Sequence, residues 1–400
     1  MTSTRKTTGW FVAIAALCMN LILGILYSWS VISKSLIGEW VWSNTQASIP
    51  YIVSVASFAI TMIFAGRAQD KYGPKPVSIF GGILLGGGLI ASSLAHSLPL
   101  MVFTFGIVGG MGIGFGYSAV TPSAIKWFDG KKKGLISGIV VSGVGLSPVY
   151  MAPITNALLK SHTIEETFLY LGIFSLVGSL LLSMFIKNPP EGYVPESKSV
   201  EPVQTKANDY AWQEMVKTRS FWLLFIAFMM GGTAGLMLIG HIARIAMVQA
   251  GWQGGYLLVV ILAVFNALGR VSGGVVSDKI GRTTSMFLFF LIQAVNMFLF
   301  SYYQNVSLLI SGTIIAGWAY GALFSVFPAA TGDFFGMKNF GANYGLIFCG
   351  WGVGGVVGPL LGGFVADTTG TYSISYIVSA VMLLIGAAIV KFTKAPVREA

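Results

Sequence analysis

Apolar runs that approach or exceed twenty residues recur twelve times along this 400-residue chain, and few folds accommodate that pattern. They are Trp10 to Ser33, Ala47 to Ala65, Val77 to Ala95, Leu100 to Ala119, Gly134 to Leu159, Thr167 to Ile186, Phe221 to Gly240, Gly254 to Ser277, Thr283 to Tyr302, Val306 to Ala330, Phe340 to Phe364 and Ile374 to Phe392. A helix of about twenty residues spans the roughly 30 Å of hydrocarbon in a bilayer. A soluble fold would have to hide all twelve runs, yet only 10% of the residues are charged, against about 25% in an average soluble protein. The pattern predicts an all-α membrane protein with twelve transmembrane helices.

The charges orient the spans. Twenty lysines and arginines fall in the segments on the side of the termini, whereas the opposite loops hold only Lys34, Lys160 and Arg244. Basic residues gather on the cytoplasmic side of short loops, which predicts that both termini are cytoplasmic and places the chain in the cell inner (plasma) membrane. The net charge of +10 is therefore topology, not a nucleic-acid stripe. Arg5 and Lys6 precede the first run with no small-residue cleavage site behind it, which predicts a retained span. Cys18 and Cys349 both lie in apolar runs and make neither a disulfide framework nor a metal site.

Between runs six and seven lies the longest polar stretch, with NPPEGYVPESKSVEPVQTK inside it. It divides the chain into a half at 1–187, a cytoplasmic linker at 188–219 and a half at 220–400, and its prolines and charges assign it no role beyond joining them. The halves repeat. Gly66 to Gly73 after span two and Gly274 to Gly281 after span eight are both G-x-x-x-D-K-x-G, offset by 208 residues, and glycine-crowded stretches close on Pro148 in span five and Pro359 in span eleven. Two pseudo-symmetric six-helix halves of this kind build many secondary transporters.

One run breaks the apolar rule. Arg270 lies inside Gly254 to Ser277, about eight residues and so roughly 12 Å from Asp278 and Lys279 at the end of the segment, too deep for easy snorkelling. A charge there costs from about 2.5 to more than 10 kcal/mol, so it normally faces a protein cavity with a function. Its planar fork suits a carboxylate; the alternative is a structural arginine bonded to carbonyls of broken helices. Asn266, one turn earlier on the same face, is placed to orient Arg270 or to bond a substrate, or else to make an ordinary helix-helix hydrogen bond. His241, with Arg244 at the outer end of span seven, is a candidate for carrying a coupling proton, against the plain reading of a loop histidine. Gly350 to Gly355 matches G-x-G-x-x-G with no strand before it, so no dinucleotide site follows. Neither a metal-ligand cluster nor a nucleophile-base motif is present, and the chain is not expected to be an enzyme or to need a cofactor.

At the repeated loops the chain resembles the major facilitator superfamily, whose signature is G-x-x-x-D-[RK]-x-G-[RK], with both copies present. Trp127-Phe128-Asp129-Gly130 with Lys131 to Lys133, followed by Gly138 and Ser142-Gly143, is similar to the span-five signature of monocarboxylate transporters. Similarity to the bacterial oxalate-formate antiporters covers nearly the whole chain, through Tyr27-Ser28-Trp29, Phe265-Asn266 to Arg270, Ser277 to Arg282, Phe327-Pro328 and Asn343-Tyr344-Gly345. That resemblance implies a transporter of small carboxylates with Arg270 as its substrate-binding arginine. It also implies that Tyr27, Tyr117 and Tyr320 lie in cavity-lining segments, against the plain reading of interface belts and packing, and that Asp70 and Asp278 are conformational gate residues and not substrate ligands. Phe324 and Trp351 would be the apolar wall, with packing the plainer reading of either taken singly.

Two departures matter. The oxalate transporters carry a second cation, a lysine, where this chain has Trp351, and one cation suits one carboxylate. Animal monocarboxylate transporters carry an aspartate where this chain has Asn266 and a lysine in span one, which here has no basic residue before Lys34. The expectation is a secondary active carrier of lactate- or pyruvate-like monocarboxylates by alternating access, with proton symport first and carboxylate exchange of the oxalate-formate type as the alternative. A non-transporting carboxylate sensor is a reading of another class. The expected partners are the small anion, protons and the lipid bilayer, with no nucleic acid and no obligate protein partner.

Overall fold

A computed structural model describes residues 2–42, 44–129, 132–190, 193, 209–252 and 254–396. They form helices joined by short turns, with no strand among the described residues. In chain order these are α1 (Thr2–Leu23), a 3₁₀ turn (Gly24–Ser28), α2 (Trp29–Glu39), α3 (Asn44–Tyr72), α4 (Pro74–Ser92) and α5 (Leu98–Met101). A π-helical stretch (Val102–Gly109) leads into α6 (Gly110–Ile125), followed by α7 (Lys133–Ser161) and α8 (Ile164–Ser183). Then come α9 (Trp212–Met215), α10 (Arg219–Ala250), α11 (Tyr256–Ile280), α12 (Arg282–Phe300), α13 (Val306–Phe335), α14 (Phe340–Thr369) and α15 (Ser373–Lys391). Among the described residues twelve stretches are long and apolar enough to cross a membrane, one in each of the expected runs. Their outer faces carry exposed large apolar side chains such as Phe64, Leu181 and Phe364, the surface that a lipid solvent requires.

The backbone divides into two compact units, residues 1–129 with 139–198, and residues 130–138 with 199–400. The first turns of α7 therefore group with the second unit, although the rest of that helix groups with the first.

Local chemistry sets the helix ends. Thr163 and Glu166 cap α8 reciprocally, Thr218 caps α10 by accepting from the Phe221 amide, and Asn305 caps α13 by accepting from the Leu308 amide. The two repeated loops end alike: Gly73 has φ 82° and ψ 169°, and Gly281 has φ 89° and ψ 159°. This region is open almost only to glycine, which is why both motif copies finish on that residue.

Helix α10 runs ten residues past the expected end of span seven, to Ala250, and stops at Gly251 in the left-handed conformation. His241 and Arg244 thus lie within a helix and not at its end. Gly240 does not break it, because tertiary packing overrides the weak helical preference of a single glycine.

The described end of the expected linker is also built. The Tyr210 amide donates to the Phe335 carbonyl (3.0 Å), and the Tyr210 carbonyl accepts from the side-chain amides of Asn339 (3.1 Å) and Asn343 (3.0 Å). Tyr210 and Met215 are buried, and the Glu214 carboxylate accepts from the Ala211 amide. Two apolar anchors and satisfied backbone groups hold this piece to the turn between α13 and α14, which its prolines and charges did not signal. Positions 191–192 and 194–208 of the linker lie outside the described residues.

Candidate functional site

Helix α11 meets α13 through reciprocal glycines. A Cβ on Gly269 would fall on the Trp318 carbonyl, and one on Gly321 would fall on the Asn266 carbonyl. Small residues at such a seam let two backbones touch, which is how helices pack tightly without a hydrophobic driving force between them. The close approach fixes the register of α11 against α13 and brings Asn266 and Arg270 beside Tyr320 and Phe324.

Arg270 is fully buried (0% exposed). Its Nε donates to Asn266 Oδ1 at 2.7 Å, the one-turn pairing that the sequence spacing predicts. Its guanidinium carbon stands 4.4 Å from the centre of the Phe324 ring, a cation-π contact in a desolvated site. Phe324 in turn meets Tyr320 edge-on (5.2 Å, 81°) and Trp351 edge-on (5.7 Å, 75°). Trp351 Nε1 donates to the Tyr320 hydroxyl at 2.8 Å. Five expected site residues, Arg270, Asn266, Tyr320, Phe324 and Trp351, therefore form one cluster in the second unit. It combines a fixed cation, an amide that orients it and an aromatic wall whose polar atoms point at one another.

Sequence reasoning missed the seats of this wall. A Cβ on Gly235 of α10 would collide with the Tyr320 ring, and one on Gly232 would crowd Trp351 (3.1 Å). Phe228 lies 5.9 Å from Phe324, and Phe348 lies 4.8 Å from Trp351. The signal was the spacing Phe228-x-x-x-Gly232 with Gly235 one turn on, legible only once the partner helix is known.

The remaining expected residues are placed within their own units. Tyr27 lies in the 3₁₀ turn of the first unit; Tyr117 is buried on α6 of that unit, edge-on to Phe58 at 5.5 Å. His241 lies six residues beyond Gly235, about 9 Å along α10. There its Nε2 is 3.0 Å from the Pro359 carbonyl and its ring is 5.4 Å from Tyr372.

Asp278 holds the start of α7. Its two carboxylate oxygens accept from the Gly134 amide (3.1 Å) and the Leu135 amide (3.0 Å), a charge set against a helix N-terminus. Arg282 closes the arrangement: Nη1 donates to Asp278 (2.6 Å) and to Ser277 (2.6 Å), and Nε donates to Asp333 on α13 (2.8 Å). Asp70, at the matching place in the first unit, ends α3. Next to it, burial pulls the Lys126 ammonium below its ordinary range, and the charge of Asp70 partly offsets that. The expectation that both copies of the loop signature are present holds only as far as the second glycine, because the basic position that closes it is filled by Arg282 in the second copy and by Pro74 in the first. No group of three or more metal-ligating side chains occurs among the described residues, and Cys18 and Cys349 are unlinked.

The comparisons with known proteins agree with this architecture. The chain is 28% identical over 358 residues to the uncharacterized MFS-type transporter YhjX of Escherichia coli K12, covering 88% of this chain and 87% of that one. It is 27% identical over 399 residues to the oxalate:formate antiporter of Oxalobacter formigenes, covering 97% and 93%. With monocarboxylate transporter 13 of Rattus norvegicus it shares 24% identity over 408 residues, covering 95% and 88%. Among solved structures, the transporter FucP in its outward conformation superposes with a TM-score of 0.72 over 95% of this chain and 98% of that one, at 15% identity, a likeness of fold alone. The family model described as Major Facilitator Superfamily matches residues 9–300 and 249–400. With twelve membrane-length helices, paired loop motifs and a buried arginine in its second half, this chain belongs to the Major Facilitator Superfamily, a family of multi-pass membrane transporters and not of enzymes.

Proposed function

We propose that this protein carries small monocarboxylates across the membrane by alternating access, with Arg270 binding the carboxylate. The observation that carries this reading is the Arg270 cluster. Asn266 orients the guanidinium through Nε, and a planar guanidinium fork suits a bidentate carboxylate. Phe324 and Trp351 meet whatever follows the carboxylate with apolar surface, which suits a short carbon chain such as that of lactate or pyruvate. A dicarboxylate would bring a second negative charge against Trp351, a desolvation cost with no partner to offset it. The relatives named oxalate:formate antiporter and monocarboxylate transporter support the carboxylate class.

Binding in this scheme changes the charge of the site. A carboxylate neutralises the guanidinium in low dielectric, so the loaded site tolerates a closed state better than the unloaded one, and that difference in affinity drives the conformational step. Asp278, by holding the first amides of α7, is the gate contact that breaks and reforms, and Asp70 is its counterpart in the first unit. Proton symport makes the moved species electroneutral, with His241 as the group to test for the proton. Carboxylate exchange, the activity in the name of the Oxalobacter relative, is the second reading. The charge bias of the loops supports cytoplasmic termini in a plasma membrane.

The test is uptake of labelled L-lactate into proteoliposomes, with and without an inward proton gradient. Arg270→Gln is expected to lower uptake at least about 100-fold, since two charge-assisted bonds of roughly 1.5–3 kcal/mol each are lost. Arg270→Lys keeps the charge but not the fork and also falls well below wild type. Undiminished uptake in either variant sinks the assignment of Arg270. Uptake that ignores the gradient and requires internal carboxylate favours exchange.

A further inference from the structure

A polar chain, half-buried at Gln249 and Tyr303 and buried at Asn296 and Gln293, runs through the second unit. It starts at Tyr376 on α15, whose hydroxyl donates to Gln249 Oε1 of α10. Gln249 Nε2 donates to the carbonyls of Phe300 (3.0 Å) and Tyr303 (3.2 Å). The Tyr303 hydroxyl donates to Asn296 Oδ1 (3.2 Å), and Asn296 Nδ2 donates to the Gly312 carbonyl (3.0 Å) and, at 3.5 Å, to Gln293 Oε1. Gln293 is 4% exposed, and its Nε2 has no hydrogen-bond partner among the described residues. A buried amide donor left in that state is rare enough in folded proteins to require an explanation.

The explanation lies in the space that Gln293 faces. It lines a cavity of about 10 Å³ whose other polar side chain is Tyr320 and whose walls include Phe289, Phe290, Leu323 and Leu383. That volume is at the lower bound for one ordered water and excludes anything larger. Apolar walls exclude an ion, because nothing in them repays its desolvation.

We propose that a single water occupies this cavity, accepting from Gln293 Nε2 and bonding the Tyr320 hydroxyl, and that Gln293 is thereby a positioning residue for the Tyr320–Trp351 pair. The water joins the amide chain of α10, α12, α13 and α15 to the aromatic wall beside Arg270. Tyr320 is also held by Trp351, by the edge of Phe324 and by the seat at Gly235. The water fixes where the hydroxyl stands, so loss of Gln293 loosens the wall without touching the substrate. The functional half of this inference rests on the carboxylate reading; the water itself does not.

Two experiments test it. An experimental structure of the purified protein, at a resolution that resolves ordered water, should show one density peak within about 3 Å of both Gln293 Nε2 and the Tyr320 hydroxyl. A dry cavity, or a water that misses either atom, overturns the proposal. In proteoliposomes, Gln293→Leu and Gln293→Met should each raise KM for lactate about three- to tenfold with the maximal rate kept. The double variant Gln293→Leu/Tyr320→Phe should show no further rise over Tyr320→Phe alone, because the effect passes through the hydroxyl. A KM within twofold of wild type in both single variants, or additive effects in the double, overturns it. Methionine keeps the length of glutamine, so a KM rise confined to leucine is a packing defect and counts against the proposal. If the wild type takes up no lactate, the carboxylate reading fails and the density arm alone decides the water.

Discussion

The two loop motifs share a backbone and differ in their charges. Gly73 and Gly281 adopt nearly the same glycine-specific conformation, 208 residues apart, and each separates a long helix from its successor. After Gly73 comes Pro74, a residue that starts a helix well but donates nothing. After Gly281 comes Arg282, which ties Asp278, Ser277 and Asp333 together while Asp278 holds the first amides of α7. Repetition has preserved the turn, where only one residue type fits, and has let the electrostatics diverge.

This contrast can be broken by substitution, and the largest effect belongs to Asp278. Its side chain and that of Arg282 are only 10% and 11% exposed, so Asp278→Ala leaves a buried guanidinium with one carboxylate fewer and two helix amides uncapped. A loss of about 3 kcal/mol is expected in unfolding titrations of the detergent-solubilised protein, together with impaired uptake. Stability within experimental error of wild type would show that the contact carries no load. Next come the glycines: Gly73→Ala and Gly281→Ala should each destabilise by roughly 1–3 kcal/mol and by similar amounts, since the strain is a backbone property. Very unequal losses would show that the shared conformation hides different constraints. Arg282→Lys keeps a charge and gives up the fork, and about 1 kcal/mol of destabilisation is expected from the bond it cannot make.

The smallest effect belongs to the first copy. There Asp70 raises the pKa of Lys126 against the lowering caused by burial, so Asp70→Asn should shift Lys126 further down. Its neutral, reactive fraction then grows at alkaline pH, and amine labelling followed over pH by mass spectrometry would reveal it. An unchanged or upward-shifted labelling curve for Lys126 would remove the coupling from the comparison.

What could be read in advance follows from how far each signal reaches along the chain. The twelve spans depend on length and composition, which the sequence carries outright. The bond from Arg270 to Asn266 depends on a four-residue spacing within one helix, so it too was legible. The joining of Tyr320 and Phe324 on α13 with Trp351 on α14 came from the family resemblance and not from periodicity. The seats at Gly232 and Gly235 were hidden among 51 glycines, because whether a missing Cβ matters depends on the neighbouring helix. Gln293 looked like an ordinary polar residue in an apolar run. Its meaning depends on a cavity walled by three other helices. The end of α10 was misplaced for a related reason, since Gly240 is a weak helix breaker where its surroundings support the helix.

The anchoring of Tyr210 has a consequence for the birth of the protein. Its carbonyl is bonded by Asn339 and Asn343, residues made 129 and 133 positions later, and its amide by Phe335. A ribosome making this chain must finish α10 through α13 before that anchor has a first partner in Phe335, and must begin α14 before Asn343 completes it. The second unit is therefore fastened at its entrance by some of its late-synthesised parts, and in a nascent chain halted before Phe335 none of these three bonds can yet form.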